Sequence, residues 1–474
     1  EDREKLLIQI DPGTAFGTGM HETTQLCIRQ LKKHITEDTV LLDVGTGSGI
    51  LAILSLMYGA KKAVGTDLDP CAVDAVRENM EVNNIAPDSF EMMIGNIITE
   101  KEVRLFIQKG SLNAEQEIQF AMNGILMDSY LNVYEYVKGL KEQNIWLNDQ
   151  KTSYALMENL PKDIQIIKGM TPVAYTKCVK NKKEQENMRN VHIKDGVAMT
   201  KFMYWLKQNA GKVEMTEISV AECLKDFRKA QDGFVEESFT TIAGYGPHGA
   251  VIHYHATEET NAKIQPEGLL LVDSGGQYLE GTTDITRTFA MGPVTEEEKK
   301  DFTTVLKGNL RLGNVVFKEG CTGENLDMVA RQPLWEAGMD YNHGTGHGIG
   351  FVLNVHETPA RINWRGRPGY GENDPFKPGM IVSNEPGFYK EGGYGIRLEN
   401  LILCQEFKAT EYGRFLHFET LTVVPFDLDA VDVTLLDCKE KQLLNDYHSR
   451  VYSELSAYMT EEELVWLKNA TRAI

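Results

Sequence analysis

The sequence predicts an α/β segment over residues 1 to about 100, a mixed, partial α/β segment over Leu105–Val179, and a long α+β domain from Lys182 onward. Three observations carry this division: a β-α-β-α run near the start, a long one-faced helix beginning at Lys182, and a strand-rich stretch to Val424 that helices close. A chain of 474 residues exceeds one small core and is expected to form two to four domains.

In the first segment Val40–Val44 is a short apolar strand and Ser48–Tyr58 a helix. Ala63–Thr66 is a second strand, Pro70–Asn83 a helix with proline in its first turn, and Phe90–Ile94 a third strand. The middle segment offers a strand at Leu105–Gln108, a helical centre and Thr171-Pro172 near its end. From Lys182 a helix sets Met188, Val191, Ala198, Phe202 and Trp205 on one face, and Thr216–Ala230 is a second helix. Strands then dominate, interrupted by helices near Thr295–Phe317 and Glu324–Ala337, and helices resume from about Asp437.

The bulk chemistry excludes several classes. Net charge is −20, from 69 acidic and 49 basic residues, which opposes a nucleic-acid or anionic-membrane surface. The longest apolar stretch, Ile50–Tyr58, is too short to span a bilayer. Glu1-Asp2-Arg3-Glu4-Lys5 is not a signal peptide, and the absent initiator Met points to a sequence cut at its left end. Seven dispersed cysteines without a Cys-x-x-Cys pair fit neither a disulfide framework nor a structural zinc site, so a reducing, cytoplasmic location is expected.

The informative residues are acids and histidines beside apolar strands. Asp273 ends Leu269-Leu270-Leu271-Val272, and Asp284 precedes Ile285-Thr286-Arg287-Thr288-Phe289. His347 lies in H-G-T-G-H-G, Glu385 follows Met380-Ile381-Val382-Ser383-Asn384, and Glu399 lies within Arg397–Leu403. An ionised carboxylate beside a buried strand is costly unless it is paired or binds a cation. Taken singly, an Asp at a strand end is a turn residue and a lone His a satisfied core or surface group. Together, four carboxylates and one imidazole form a hard, oxygen-rich set suited to manganese, or else zinc or cobalt. Four carboxylates can neutralise two divalent ions.

The flanking motifs are V-I-H-Y around His253, V-D-S-G-G-Q-Y, G-T-T-D-I-T-R-T, Y-N-H-G-T-G-H-G-I-G, L-N-V-H-E, E-P-G-F-Y and I-R-L-E-N. On these motifs, residues from about 184 to the end resemble the creatinase or pita-bread metallopeptidases, and closely the large, eukaryotic-type aminopeptidase P family. L-N-V-H-E beside H-G-T-G-H-G favours that family over prolidase or methionine aminopeptidase. The resemblance implies a metal-dependent aminopeptidase that releases the residue before a second-position proline, by attack of a hydroxide bridging two divalent ions. It implies that Asp273 binds one metal, His347 and Glu385 the other, and Asp284 and Glu399 both. His253, His343 and His356 resemble the catalytic, non-ligand histidines that orient substrate, stabilise the oxyanion and move protons, and Tyr389 and Arg397 the groups that fix the ligand carboxylates. An apolar recess near His343 and His356 is implied for the proline, whose tertiary amide offers no N–H to general peptidases.

Asp43-Val44-Gly45-Thr46-Gly47-Ser48-Gly49 follows a strand and opens a helix, and Asp67 ends the next strand. Glycines there allow close backbone approach to a nucleotide-like ligand, and the acid can accept ribose hydroxyls. With D-P-G-T-A-F-G-T-G-M-H-E-T-T before it and G-T-D-L-D-P after, residues 1–104 resemble a truncated, Rossmann-like methyltransferase of the PrmA type. That resemblance implies contacts to S-adenosylmethionine by Asp43, Gly45, Gly47 and Asp67. Near Arg104-Leu105 the sequence passes into L-F-I-Q-K-G, which resembles the middle of aminopeptidase P's second domain. The expected domains are therefore a methyltransferase fragment at 1–104, a partial creatinase-type second domain at 105–183 and the pita-bread catalytic domain at 184–474. The segment 1–104 is expected to be an incomplete methyltransferase, without that family's substrate domain and acceptor motif, and half an open sheet leaves an unpaired edge.

Peptides with second-position proline are the expected partners, and a homodimer belongs to the same expectation. Two other readings remain: a ribosomal-protein methyltransferase using S-adenosylmethionine, which needs a complete acceptor site, and a non-catalytic pita-bread binding module. Loss of metal ligands would favour the module, and none is missing.

Overall fold

In this computed structural model the described residues are 8–10, 24, 27–28, 31, 33–44, 46–67, 71–94, 103–141, 144–149, 151–365 and 374–474. They belong to two compact units, Glu1–Gly139 and Leu140–Ile474. The first unit thus runs past the join expected at Arg104.

In the first unit, strands Val40–Val44, Lys62–Asp67 and Phe90–Ile94 form a parallel sheet with Lys62–Asp67 in the centre. Helices Ile50–Met57 and Cys71–Val82 connect them, as the β-α-β-α pattern requires. Ala52, Ile53, Ala63, Val76 and Phe90 make the core between sheet and helices. Val40 and Leu42 remain 59% and 53% exposed on the outer strand, so apolar surface is left open there. Strands Val103–Ile107 and Ile125–Ser129 pair in parallel as a separate ribbon.

The second unit opens with another parallel pair, Asn144–Leu147 and Gln165–Lys168. The long helix spans Lys182–Asn209 and begins with a capping box, Asn181 accepting from the Glu184 amide (3.0 Å) while Glu184 accepts from the Asn181 amide (2.8 Å). Its expected face is inward: Met188, Val191, Ala198 and Phe202 are fully buried, and Trp205 packs partly buried beside them. The helix expected to reach Phe317 ends at Gly313, because Val316–Lys318 instead pairs with the strand Gly413–Thr420.

Two sheets position the carboxylates. Ile285–Ala290, Leu269–Ser274 and Ile242–Tyr245 form an antiparallel sheet in that order. Asp273 stands opposite Thr286 there, so the two-residue period places Asp273, Thr286 and Asp284 on one face. A six-stranded sheet runs Val316–Lys318, Gly413–Thr420, Asn400–Thr410, Ile381–Asn384, Gly346–Gly348, Glu357–Ile362. Its Asn384–Asn400 pairing brings Glu385 and Glu399, the next residues outward, to the same strand ends. Gly346 must be glycine here, since a Cβ would meet the Ser383 carbonyl oxygen at 2.0 Å. Behind the sheets, Phe302, Val305 and Leu306 of the helix Glu296–Gly313 pack on Leu334, Ile396 and Leu398.

Candidate metal centre

Asp273, Asp284, His347, Glu385 and Glu399 line a single cavity of about 700 Å³. The described residues bring together ligand atoms of Asp284, His347 and Glu399 within 4.8 Å of one another. His347 Nε2 lies 3.4 Å from Asp284 Oδ2 and 3.4 Å from Glu385 Oε1. Its other nitrogen, Nδ1, faces the Gly348 carbonyl oxygen at 3.1 Å and must donate there. The Nε2 lone pair is thereby aimed at the carboxylates, as a metal ligand requires.

The carboxylates are held but not saturated. Thr286 Oγ1 donates to Glu399 Oε2 at 2.7 Å, and Ser383 Oγ to Glu385 Oε1 at 3.1 Å. Arg397 Nη2 donates to Asp273 Oδ2 at 2.6 Å and Nη1 to the Tyr389 hydroxyl at 2.8 Å. Asp273 Oδ1 and Glu399 Oε1 are buried without a hydrogen-bond partner among the described residues. Burial, and then repulsion from neighbouring carboxylates, raises the Asp284 and Glu399 carboxyls well above their ordinary range. Burial pushes Glu385 up to about 7. Orphaned oxygens and mutually repelling acids fit a site completed by divalent cations, with a hard donor set plus one imidazole.

His253, His343 and His356 also line the cavity, as does His255, which the sequence reading did not single out. His343 is fixed at both nitrogens: Nδ1 donates to the Gly344 carbonyl oxygen at 2.8 Å, and Nε2 meets the Tyr389 hydroxyl at 2.8 Å. Burial, helped by the Arg397 charge, lowers its pKa to about 3, so it rests neutral. His356 stands edge-on to His347 with ring centres 4.2 Å apart. His253 lies on the exposed loop between Tyr245 and Leu269. Phe239, Ile242, Ile252, Val355 and Ala360 supply an apolar wall.

Thr286 and Ser383, which orient Glu399 and Glu385, were not singled out by sequence, although Ser383 stands two residues before Glu385 and Thr286 two residues after Asp284. In the first unit, Asp43 and Gly47 sit at the end of the Val40–Val44 strand, and the Gly47 amide donates to Asp67 Oδ2 at 2.8 Å. Burial pushes the Asp43 carboxyl up to about 6. Gly45, the fourth residue expected at that site, lies outside the described residues. No helix among the described residues is long and apolar enough to cross a membrane.

Residues 186–406 match metallopeptidase family M24, and residues 414–474 match the C-terminal region of that peptidase. Residues 1–148 match ribosomal protein L11 methyltransferase (PrmA). A probable Xaa-Pro aminopeptidase P of Botryotinia fuckeliana is 39% identical over 386 residues, covering 78% of this chain and 59% of that protein. Aminopeptidase P2 of Arabidopsis thaliana is 43% identical over 311 residues, covering 64% of this chain and 43% of that protein. The chain therefore spans about three-fifths of the first relative's length and less of the second's. An X-prolyl aminopeptidase from Caenorhabditis elegans, a cytosolic enzyme with a di-nuclear active site, matches with a TM-score of 0.73 at 27% identity. That match covers 94% of this chain and 83% of the other. The pita-bread fold expected of residues 184–474 is the fold of these neighbours, and the PrmA match agrees with the additional α/β segment.

Proposed function

From the match of residues 186–406 to metallopeptidase family M24 and of residues 414–474 to its C-terminal region, we propose that the protein is a metal-dependent aminopeptidase releasing the residue that precedes a second-position proline. The observation carrying this is the convergence of Asp273, Asp284, His347, Glu385 and Glu399 on one cavity with an apolar wall. Its likeness to X-Pro aminopeptidases in sequence and structure supports the same reading.

Asp273 would help hold one cation and His347 with Glu385 a second, with Asp284 and Glu399 completing the site, and the oxygen-rich set favours manganese. Bound there, such cations would supply Lewis-acid polarisation of the scissile carbonyl and would activate a water as its nucleophile. The chain's own residues do the rest. Arg397 fixes Asp273 and Tyr389, and Tyr389 in turn fixes the neutral His343 ring. His253 and His356, on the cavity wall, orient the peptide and carry protons. The apolar wall receives the proline ring, whose missing N–H leaves no donor to satisfy. A cytoplasmic location and a homodimer are part of the proposal.

Purified protein with manganese and an Xaa-Pro peptide should release the first residue, and an Asp284→Ala variant should not. Equal product from both would overturn the mechanism; a metal-replete, folded protein that binds the peptide without cleaving it would favour a binding module.

The PrmA match favours a second reading, confined to the first unit: S-adenosylmethionine contacts by Asp43, Gly45, Gly47 and Asp67. Equilibrium dialysis with labelled S-adenosylmethionine tests it, and absence of saturable binding removes it.

A further inference from the structure

Glu217, the first residue of the helix Glu217–Lys229, is fully buried, and its carboxylate faces the loop that carries His253. Its Oε1 accepts from the Tyr245 amide (2.8 Å) and from His248 Nδ1 (2.8 Å). Its Oε2 accepts from the Tyr254 hydroxyl (2.8 Å) and from the Ala262 amide (2.9 Å). Four donors on one carboxylate satisfy a buried charge, and all four come from the two ends and the middle of residues 245–262. The helix backbone adds two ties: the Glu217 amide donates to the Ala262 carbonyl oxygen (3.1 Å) and the Ile218 amide to Asn261 Oδ1 (3.0 Å).

His253 sits between two of these restraints. On one side Tyr254 is bonded to Glu217 and stacks against His248 with ring centres 4.5 Å apart. On the other, Arg397 Nη2 reaches the Ile252 carbonyl oxygen at 3.5 Å. An exposed loop of this length holds a histidine over a cavity only when its backbone is pinned near that residue.

We infer that Glu217 is a positioning residue that fixes His253 over the metal centre by gathering both ends of the 245–262 loop and Tyr254 onto one buried carboxylate. Glu217 touches neither substrate nor metal, and its effect passes through His253. The inference rests on the aminopeptidase reading for its functional consequence, but the anchor itself is independent of it.

The test uses the full chain with manganese and an Xaa-Pro tripeptide, comparing wild type, Glu217→Gln, His253→Ala and the double variant. A glutamine keeps the size but cannot accept all four donors. Glu217→Gln should lower kcat by about ten- to a hundredfold, the loss expected when a catalytic group is displaced by an ångström. KM and manganese stoichiometry should stay close to wild type. In the His253→Ala background the same change should cost less than about twofold, since coupled residues lose their effect together. Multiplicative losses in the double variant would overturn the inference. Tyr254→Phe, which removes the hydroxyl shared between Glu217 and Thr260 and keeps the ring, should lower kcat by a smaller factor and guards against a folding defect. Hydrogen exchange over residues 245–262 reads the anchor without turnover: faster exchange in Glu217→Gln supports it, and unchanged protection overturns it. A wild type without activity, or a His253→Ala variant equal to wild type, would instead count against the aminopeptidase reading.

Discussion

Arg397 shows how much of this centre depends on side chains that hold the ligands. Its planar fork reaches Asp273 and Tyr389 at once, a geometry that a single ammonium cannot reproduce. Arg397→Lys should therefore weaken divalent-metal affinity by about 10–100-fold while leaving all five ligands in place, which calorimetric metal titration would measure. The carboxylates themselves give a second expectation. Without cations, burial and mutual repulsion raise Asp284 and Glu399, and burial raises Glu385 to about 7, against an ordinary value near 4. Raised carboxyl pKa values favour the folded, protonated form at low pH, and that contribution disappears as pH climbs through about 7. Chelation should thus lower the melting temperature more at pH 8 than at pH 5.5, and the metal should bind with proton release. A melting shift independent of pH would contradict this. The four carboxylate candidates stood out in sequence because each precedes, ends or interrupts an apolar strand, where a bare charge needs a reason, whereas His347 stood out only through its H-G-T-G-H-G motif. Glu217 was not legible: an acid in the first turn of a helix is ordinarily a solvated partner of the helix dipole, and only its four partners distinguish it.

Between elements, close backbone contact decides the geometry. The strand Tyr394–Arg397 runs so near the Gly246–Ala250 turn that a Cβ on Gly395 would meet the Gly249 carbonyl oxygen at 1.6 Å. Gly395→Ala must push these apart, at a cost of about 1–3 kcal/mol or more. Because the turn leads to His253 and the strand ends in Arg397, both melting temperature and kcat should fall, by thermal denaturation and steady-state assay. A variant with lowered stability but unchanged kcat would separate this packing from the site. Helices of the second unit were largely readable from periodicity, and its strands only as a strand-rich stretch. The short parallel pairs Asn144–Leu147 with Gln165–Lys168 and Val103–Ile107 with Ile125–Ser129 were less so, since four or five residues carry little pattern and their pairing is non-local. Val316–Lys318 was absorbed into the preceding helix for the same reason: its apolar residues continue that helix's run, and only pairing with Gly413–Thr420 reveals a strand.

At the scale of the molecule, the second unit contains two buried histidines far from the chemistry in sequence. Burial lowers His192 to about 4 and His448 to about 3, and His448 Nε2 accepts from the Phe426 amide at 3.1 Å. A depressed folded pKa contributes stability that is complete above the ordinary value near 6.5 and is lost as pH falls toward the folded value. Acid should therefore destabilise this unit progressively from about pH 6.5 downward, and His448→Gln should flatten the slope by up to one proton. Denaturant titrations at stepped pH would measure it, and an unchanged slope would exclude His448 as a source.

The fork of Arg397 also sets the charge balance of the centre. Two divalent ions bring four positive charges to four carboxylates, Asp273, Asp284, Glu385 and Glu399, and the sum is zero. Arg397, bonded to Asp273, then leaves that neutral cluster one positive charge in surplus. That surplus is the charge that the deprotonated water of the proposed mechanism would neutralise, so the centre would hold one anion even though the chain as a whole carries −20.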